Sequence, residues 1–158
     1  MKLISQNAKI AQALAPNADL FAGDPSTDVF SLGEYRNICF VLSIGENASS
    51  GSAVVTVDSC DNTTPDTATA VAFKYAESTS TDDFGELTNS DSAGFTTSAT
   101  ADNMYLIEVD AADLSGTDEF VQLTLTESVA QAVDAGVTAV LYNPRYAAAA
   151  DEMPTAIA

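Results

Sequence analysis

The chain has 158 residues, a length that supports one domain with a hydrophobic core of its own. It carries 23 Asp and Glu residues against five Lys and Arg residues, and this net charge of −18 argues against binding to nucleic acid or to anionic lipid. The chain has no histidine, the usual general base and metal ligand, so we expect no enzymatic activity, no cofactor and neither a catalytic nor a metal site.

The first 28 residues predict an extended N-terminal arm. Their apolar residues are widely spaced, and no uninterrupted apolar run reaches the roughly 7–15 residues of a secretory signal. A short helix over residues 7–15 is the alternative, because Ile10 and Leu14 lie four apart, but Pro16 would end it. We expect the arm to lie on its own domain or on a neighbouring subunit through the apolar residues Leu3, Ile4, Ile10, Leu14 and Leu20.

Two strands are predicted next along the chain. Residues 38–44 alternate between apolar and other side chains, as a half-buried strand does, and residues 54–57 resume the same chemistry after a Gly- and Ser-rich turn at 45–52. If Ile44 pairs with Ala53, both strands place their large apolar residues on one face. The sequence therefore predicts a hairpin in this register.

The two cysteines are expected to remain reduced thiols. In the predicted hairpin, Cys39 and Cys60 lie diagonally on the polar face, about 7–8 Å apart. This separation disfavours a disulfide without backbone movement. Two thiols without a histidine would also supply only half of a zinc site.

The rest of the chain predicts further short strands separated by frequent turn signals. Apolar or alternating runs mark strands at 69–75, 104–110, 120–127 and 137–142. Weaker signals predict short strands around 84–88 and 95–99 and one helical turn at 111–115. Seven or eight strands without βαβ alternation favour an all-β fold, with an antiparallel β-sandwich or jelly-roll-like domain over 29–147. A flexible C-terminal tail is expected over 148–158.

Acidic loops are the first candidate sites. Calcium binds six to eight oxygen ligands, and the loops at 58–66 and 82–86 each hold several carboxylates. Neither loop has EF-hand spacing or a Gly-rich nonapeptide repeat. Solvated acidic loops are therefore the favoured interpretation.

Three residues beyond the arm are candidates for an interface. Arg36 and Arg145 are two of only five cations, and each lies beside a predicted strand. Pairing with a carboxylate would either fix a corner of the sheet or anchor the chain to a partner subunit. Tyr146 suits both the edge of a core and an interface.

The order of segments resembles that of small virion proteins of tailed bacteriophages. The matching segments span nearly the whole chain: "VTVDSCD" at 55–61, "TATAVAFKY" at 67–75, "YLIEVDAADL" at 105–114 and "NPRYA" at 143–147. These virion proteins are similar to capsid cement or decoration proteins, which are β-sandwich domains that bridge capsomers on the outside of the head, commonly as trimers. The resemblance is one of pattern and order and includes no catalytic motif.

The resemblance implies a capsid decoration protein, made in the host bacterial cytoplasm and located on the outer capsid surface of the virion. Its partners would be the major capsid protein and other copies of the chain in a homotrimer, with no nucleic acid and no membrane. The arm residues, Arg36, Arg145 and Tyr146 would form the capsid or subunit interface. Another virion component (a tail-tube, head-tail joining or fibre-base protein) and a host-glycan-binding module are the alternatives.

Overall fold

The computed structural model describes residues 4, 7–64, 67–80 and 83–145, with no account of the side chains at 79 and 80. Over these residues the chain forms antiparallel strands in two packed sheets, which confirms the predicted all-β sandwich. The strands are β1 (Ala8–Asn17), β2 (Phe30–Ser31), β3 (Tyr35–Ile44), β4 (Ser52–Cys60), β5 (Ala68–Ala70), β6 (Phe73–Ser80), β7 (Asp83–Phe84), β8 (Thr88–Ser90), β9 (Phe95–Thr96), β10 (Asn103–Asp110), β11 (Phe120–Val129) and β12 (Ala135–Pro144). The predicted helical turn is present as a 3-10 helix at Ala111–Asp113. The tail predicted at 148–158 lies outside the described residues.

The larger sheet has the strand order β1-β12-β3-β10-β6-β7, with β8 also paired to β6. The smaller sheet has the order β2-β11-β4-β5, with β9 also paired to β4. Inward-facing apolar side chains from both sheets form one core. Aromatic contacts join the sheets: Phe30 meets Phe40 edge-on at 5.7 Å, and Phe95 stacks on Tyr75 with ring centroids 3.9 Å apart and also contacts Phe73 and Tyr105.

The predicted hairpin between Ile44 and Ala53 is wrong. Strand β3 belongs to the larger sheet and β4 to the smaller one, so their apolar faces meet across the core instead of lying side by side. The connection is held by Asn47, whose side chain accepts from the backbone N–H of Gly51 at 2.8 Å and donates to its carbonyl at 2.9 Å. A Cβ at Gly51 would lie 2.6 Å from the carbonyl oxygen of Gln131, so the crossing requires glycine there.

The single strand predicted over 69–75 is also divided between the sheets. Strand β5 pairs with β4 in the smaller sheet, whereas β6 pairs with β10 in the larger one. The chain changes sheet at Val71, whose backbone N–H donates to the carbonyl of Val57 at 2.9 Å. Val71 and Phe73 are buried, as the sequence predicts, while Tyr75 is half-buried.

The segment predicted as an arm contains an edge strand of the larger sheet. Strand β1 pairs antiparallel with β12, so the alternative of a helix over 7–15 is wrong. The register shifts between Gln12 and Leu14, and this irregularity disrupts the period-two pattern that would have revealed the strand. The division of the chain at residues 28 and 147 stays a prediction, but β1 lies on the chain's own domain.

Cys39 and Cys60 are both free and buried. They face away from the core, as the alternation predicts, but on opposite sides of the sandwich, because β3 and β4 belong to different sheets. Their predicted diagonal placement on one sheet is therefore wrong. The thickness of the sandwich separates the two outer faces. It therefore excludes a disulfide between Cys39 and Cys60 more firmly than the predicted diagonal spacing within one sheet did.

Candidate interaction surface

The outer face of the larger sheet carries two neighbouring rows of side chains across five strands. One row runs Ile10, Val140, Cys39, Glu108 and Lys74, and the next runs Gln12, Thr138, Val41, Leu106 and Ala76. Side chains directly opposite in adjacent strands lie about 4.5–5.5 Å apart, so neighbours in a row are in reach of one another. The apolar members of these rows, together with Met104 beside them, form a contiguous surface that we call the apolar outer face: Ile10, Cys39, Val41, Ala76, Met104, Leu106 and Val140.

The apolar outer face is partly open to solvent. Ile10 is 56% exposed, and Val41, Leu106 and Val140 are half-buried although no part of the described chain packs over them as a further layer. Contiguous apolar surface of this kind commonly marks a site of contact with another protein.

Charge is almost absent from these two rows. They contain one carboxylate, Glu108, and one cation, Lys74, which lie opposite each other in the register of β10 and β6. The chain as a whole has a net charge of −18. The acidic residues are thus concentrated elsewhere.

Glu108 interacts with its neighbours within the face. The hydroxyl of Tyr142 donates a hydrogen bond to a carboxylate oxygen of Glu108, and burial together with this carboxylate raises the pKa of Tyr142. Burial, followed by the charge of Glu108, raises the pKa of the Cys39 thiol to about 12. Cys39 is therefore protonated at neutral pH and packs as a small apolar side chain.

A second feature lies at the end of the larger sheet where β3 begins and β12 ends. Here a depression of about 300 Å³ is lined by Arg36, Arg145, Asp110, Ala111 and Ala112. The Nε of Arg36 donates to Oδ2 of Asp110 at 3.4 Å. The Nε of Arg145 donates to two backbone carbonyls, at 3.2 and 3.4 Å. Arg145 thus holds a corner of the sheet, whereas Arg36 is loosely engaged, with its side chain 67% exposed; both line the same depression.

Asp110 is held ionised by several donors. Its carboxylate accepts from the backbone N–H of Ala112 at 2.9 Å, from the Asn37 amide at 3.1 Å and from Arg36. These hydrogen bonds, led by that from Ala112, lower the pKa of Asp110 below its usual range. The carboxylate at this end of the sheet therefore stays charged well into acidic conditions.

The residues predicted for an interface are separated by the structure. Ile10 lies on the apolar outer face, and Ile4 is 71% exposed. Leu14 is half-buried against the core, while Leu20 is 5% exposed within it. Leu20 is therefore not accessible to a partner, because the chain turns back after β1 and buries this side chain in the core of its own domain. Leu3 and Tyr146 lie outside the described residues.

Several residues of the apolar outer face were not singled out from the sequence, although a signal for them exists. Strand β3 contains the uninterrupted run "ICFVL" at 38–42, and β10 contains "MYLI" at 104–107. A strand with one face in water alternates, whereas a strand that is covered on both faces is apolar throughout. These runs indicate that the larger sheet has a second apolar face.

The described residues contain no group of three or more His, Cys, Asp or Glu side chains that could hold a metal ion. Asp66 and Asp82, from the two acidic loops, are outside the part of the chain that the structure describes. In the same described part, no helix has the length and apolar character that crossing a bilayer requires.

Comparison with known proteins yields a likeness in fold. No family model matches the sequence, and no curated protein matches it either. In structure, the chain is similar to the SPBc2 prophage-derived protein YomS, with a TM-score of 0.50 over 85% of this chain and 92% of that one. The two sequences are 14% identical. At this identity the likeness shows a shared fold.

Proposed function

We propose that the chain is a structural protein of a tailed-bacteriophage particle, and specifically a capsid cement or decoration protein. The observation that carries this proposal is the apolar outer face, a weakly charged surface on a chain with a net charge of −18. The similarity in fold to a prophage-derived protein supports a phage origin. The order of segments, which resembles that of small virion proteins, supports it independently.

In this proposal the apolar outer face binds the major capsid protein on the outside of the head. Removing apolar surface from water contributes about 25 cal/mol per Å², so a partner that covers this face gains affinity without needing charge complementarity. A head packed with DNA is under internal pressure, and buried area that bridges capsomers opposes it. The acidic remainder of the surface faces solvent and limits both aggregation and adhesion to nucleic acid or membranes.

The proposal assigns the chain no catalysis and no cofactor. Burial raises the pKa of Cys39 to about 12 and that of Cys60 to about 11, with nearby carboxylates adding to both effects. Nucleophilic catalysis by cysteine requires the thiolate. The chain has two protonated thiols and no histidine. Contact with other subunits is therefore the activity that its side chains best support.

Purified particles provide the test. Quantitative mass spectrometry should find the chain in a copy number comparable to that of the major shell protein, and labelling should place it on the outside of the head. A copy number matching a single tail or portal ring would instead identify another virion component. Absence from particles, together with binding to host glycans, would overturn the proposal in favour of a glycan-binding module.

A further inference from the structure

We propose that a pocket beside the apolar outer face binds a basic side chain of the partner protein that covers this face. This contact rests on the proposed function, and it adds the chemistry that the partner must present at one position. The pocket has a volume of about 330 Å³ and is lined by residues of β3, β6, β10 and β12. We call it the rim pocket, and its polar lining residues are Asn37, Lys74, Glu108, Asp110, Asp113 and Tyr142.

The rim pocket continues the apolar outer face toward the end of the larger sheet. Tyr142, Asn37 and Asp110 form a row across β12, β3 and β10, directly after the row that contains Glu108. Successive residues on one face of a strand are about 7 Å apart along it. A partner seated on the apolar outer face would therefore also cover the rim pocket.

Two side chains from outside the sheet complete the pocket. Leu87, which precedes β8, is 54% exposed, and Asp113 belongs to the 3-10 helix that follows β10. Leu87 and the methylene stem of Lys74 add apolar surface to a pocket that is otherwise polar. A basic side chain has the matching composition, because its aliphatic stem ends in a charged group.

Negative charge is in excess in the rim pocket. Three carboxylates line it against one ammonium group, that of Lys74. The ion pair that the described part of the chain contains joins Arg36 to Asp110. Lys74 therefore lines the pocket without an ion pair to Glu108 or Asp113. These two carboxylates are open to pairing with a cation that another molecule supplies.

Glu108 is oriented but not neutralised by its contacts. The Tyr142 hydroxyl donates a hydrogen bond to its carboxylate, and the Cys39 thiol lies directly opposite it in the register of β10 with β3. Both neighbours are uncharged, since the pKa of each is raised above the neutral range. The carboxylate thus keeps its negative charge at a fixed position on the surface that the partner would cover.

The spacing of the carboxylates favours an organic cation over a metal ion. Among the residues that the structure describes, no three His, Cys, Asp or Glu side chains are placed to hold a metal ion. A guanidinium is wider than a metal ion and carries N–H donors on both edges, so it can contact carboxylates that one ion cannot. The volume of the pocket lies at the lower end of the roughly 300–1,000 Å³ of ligand pockets, which suits a single side chain.

Charge also favours a different protein over a further copy as the source of this side chain. The net charge of −18 attracts basic side chains at long range and repels acidic surfaces, including those of other copies. With five Lys and Arg residues in the whole chain, another copy has few basic side chains to offer. A capsid protein with a basic residue at the contact would gain both attraction and selection for this surface.

Co-sedimentation of the full chain with undecorated heads tests the proposal. We expect the Glu108→Gln, Asp113→Asn double variant to bind at least about tenfold more weakly than the wild type, because a covered basic side chain would lose its counter-charges. Glutamine keeps an acceptor for the Tyr142 hydroxyl. The matched control, Asp61→Asn with Glu119→Gln, removes the same charge at exposed positions next to β4 and β11 and should change binding by less than about twofold.

The salt dependence of binding gives a readout that a merely structural role would not move. Sodium chloride should weaken binding of the wild type more steeply than binding of the double variant, because added salt screens the pairing of charges. Equal salt dependence would overturn the proposal. So would loss of wild-type binding to intact heads on addition of EDTA, since the occupant would then be a metal ion.

Thermal unfolding followed by circular dichroism establishes that each variant folds. If the double variant does not fold, Asp113→Asn alone retains the test, since that side chain is exposed, and it should weaken binding at least about threefold. Heads that bind the wild type and a folded variant equally well would remove the rim pocket and leave the proposed function standing. Heads that do not bind the wild type would overturn the proposed function and this contact with it.

Discussion

Each outer face of the sandwich consists of every second residue of its strands, yet the two faces differ in chemistry. The outer face of the larger sheet is apolar at Val41, Leu106 and Val140. On the smaller sheet, Thr124 bonds both the Ser26 hydroxyl, at 3.0 Å, and an oxygen of Asp58, at 3.2 Å. Polar groups on the outer face of the smaller sheet therefore hydrogen-bond to one another, whereas the larger sheet leaves apolar side chains partly exposed to solvent.

A short segment of the chain accounts for part of this difference. The backbone N–H of Thr27 donates to the carbonyl of Leu123, and that of Leu125 donates to the carbonyl of Pro25, each at 2.9 Å. The segment at 25–27 thus lies along β11, and its side chains complete the polar network. An outer face with hydrogen-bonded hydroxyl groups gains little from being covered, so the larger sheet is the better candidate for the proposed contact.

A charge introduced on one outer face at a time should give the largest difference between the two faces in binding to heads. We expect Leu106→Lys to weaken binding to heads that lack the chain by about 100-fold, because an interface that covers this position would bury an unpaired ammonium group. The matched variant Thr126→Lys puts the same charge on the exposed outer face of the smaller sheet and should leave binding within about twofold.

Binding is measured by co-sedimentation of the chain with undecorated heads. Both variants should unfold within a few degrees of the wild type, because the lysine introduced on the larger sheet would extend its charged end into water and Thr126 is exposed. Equal binding by both variants would contradict the assignment of the contact to the larger sheet.

The cysteines supply one natural probe on each face. Cys39 lies on the apolar outer face, and Cys60 lies on the outer side of the smaller sheet. Alkylation of the Cys60→Ser variant reports on Cys39 alone, and alkylation of the Cys39→Ser variant reports on Cys60 alone. Because the pKa values are raised to about 12 for Cys39 and about 11 for Cys60, both should react slowly at pH 8 and faster as the pH rises.

Both thiols are buried and react only after local opening, so binding to heads should slow alkylation of Cys39 by about tenfold, because a covering partner hinders opening there, and leave the rate at Cys60 unchanged. Protection of Cys60 alone would place the contact on the smaller sheet. The measurement is mass spectrometry of the alkylated chain, with free chain at the same pH as the control.

The sequence predicts the strands better than it predicts their arrangement. Alternation is a local property, so it located β3, β10, β11 and β12 correctly. It does not show whether the next strand pairs alongside or crosses to the opposite sheet, because both arrangements bury the same side chains. The hairpin of β3 with β4 was predicted wrongly for this reason.

The candidate surfaces were predictable only in part. Uninterrupted apolar runs in β3 and β10 indicate a second apolar face, but its contiguity depends on the pairing of five strands. The scarcity of cations drew attention to Arg36 and Arg145 individually. Their meeting in one depression depends on the register of β12 with β3, which no local pattern contains.

The smallest expected difference between the two faces is in the pH dependence of stability. On the smaller sheet, burial raises the pKa of Asp58 above 3.8, so the folded state favours its protonated form. Its ionisation costs stability as the pH rises through the folded-state value. At the end of the larger sheet, hydrogen bonds lower the pKa of Asp110, so its ionised form contributes stability above 3.8 that is lost as the pH falls through the lower folded-state value.

The two carboxylates should therefore respond to substitution with opposite signs. At pH 7 we expect Asp58→Asn to raise the free energy of unfolding and Asp110→Asn to lower it, each by less than about 1 kcal/mol, because both groups are partly exposed to solvent. As the pH falls, the Asp58 difference should shrink first, because its pKa is raised, whereas the Asp110 difference should begin to shrink below 3.8 and vanish only below its lowered folded-state pKa. Urea unfolding of both variants and the wild type, at pH 7 and at pH 3, measures these differences. Changes of the same sign at pH 7 would contradict the contrast between Asp58, whose ionised form is opposed by burial, and Asp110, whose ionised form is held by Arg36 and two amide donors.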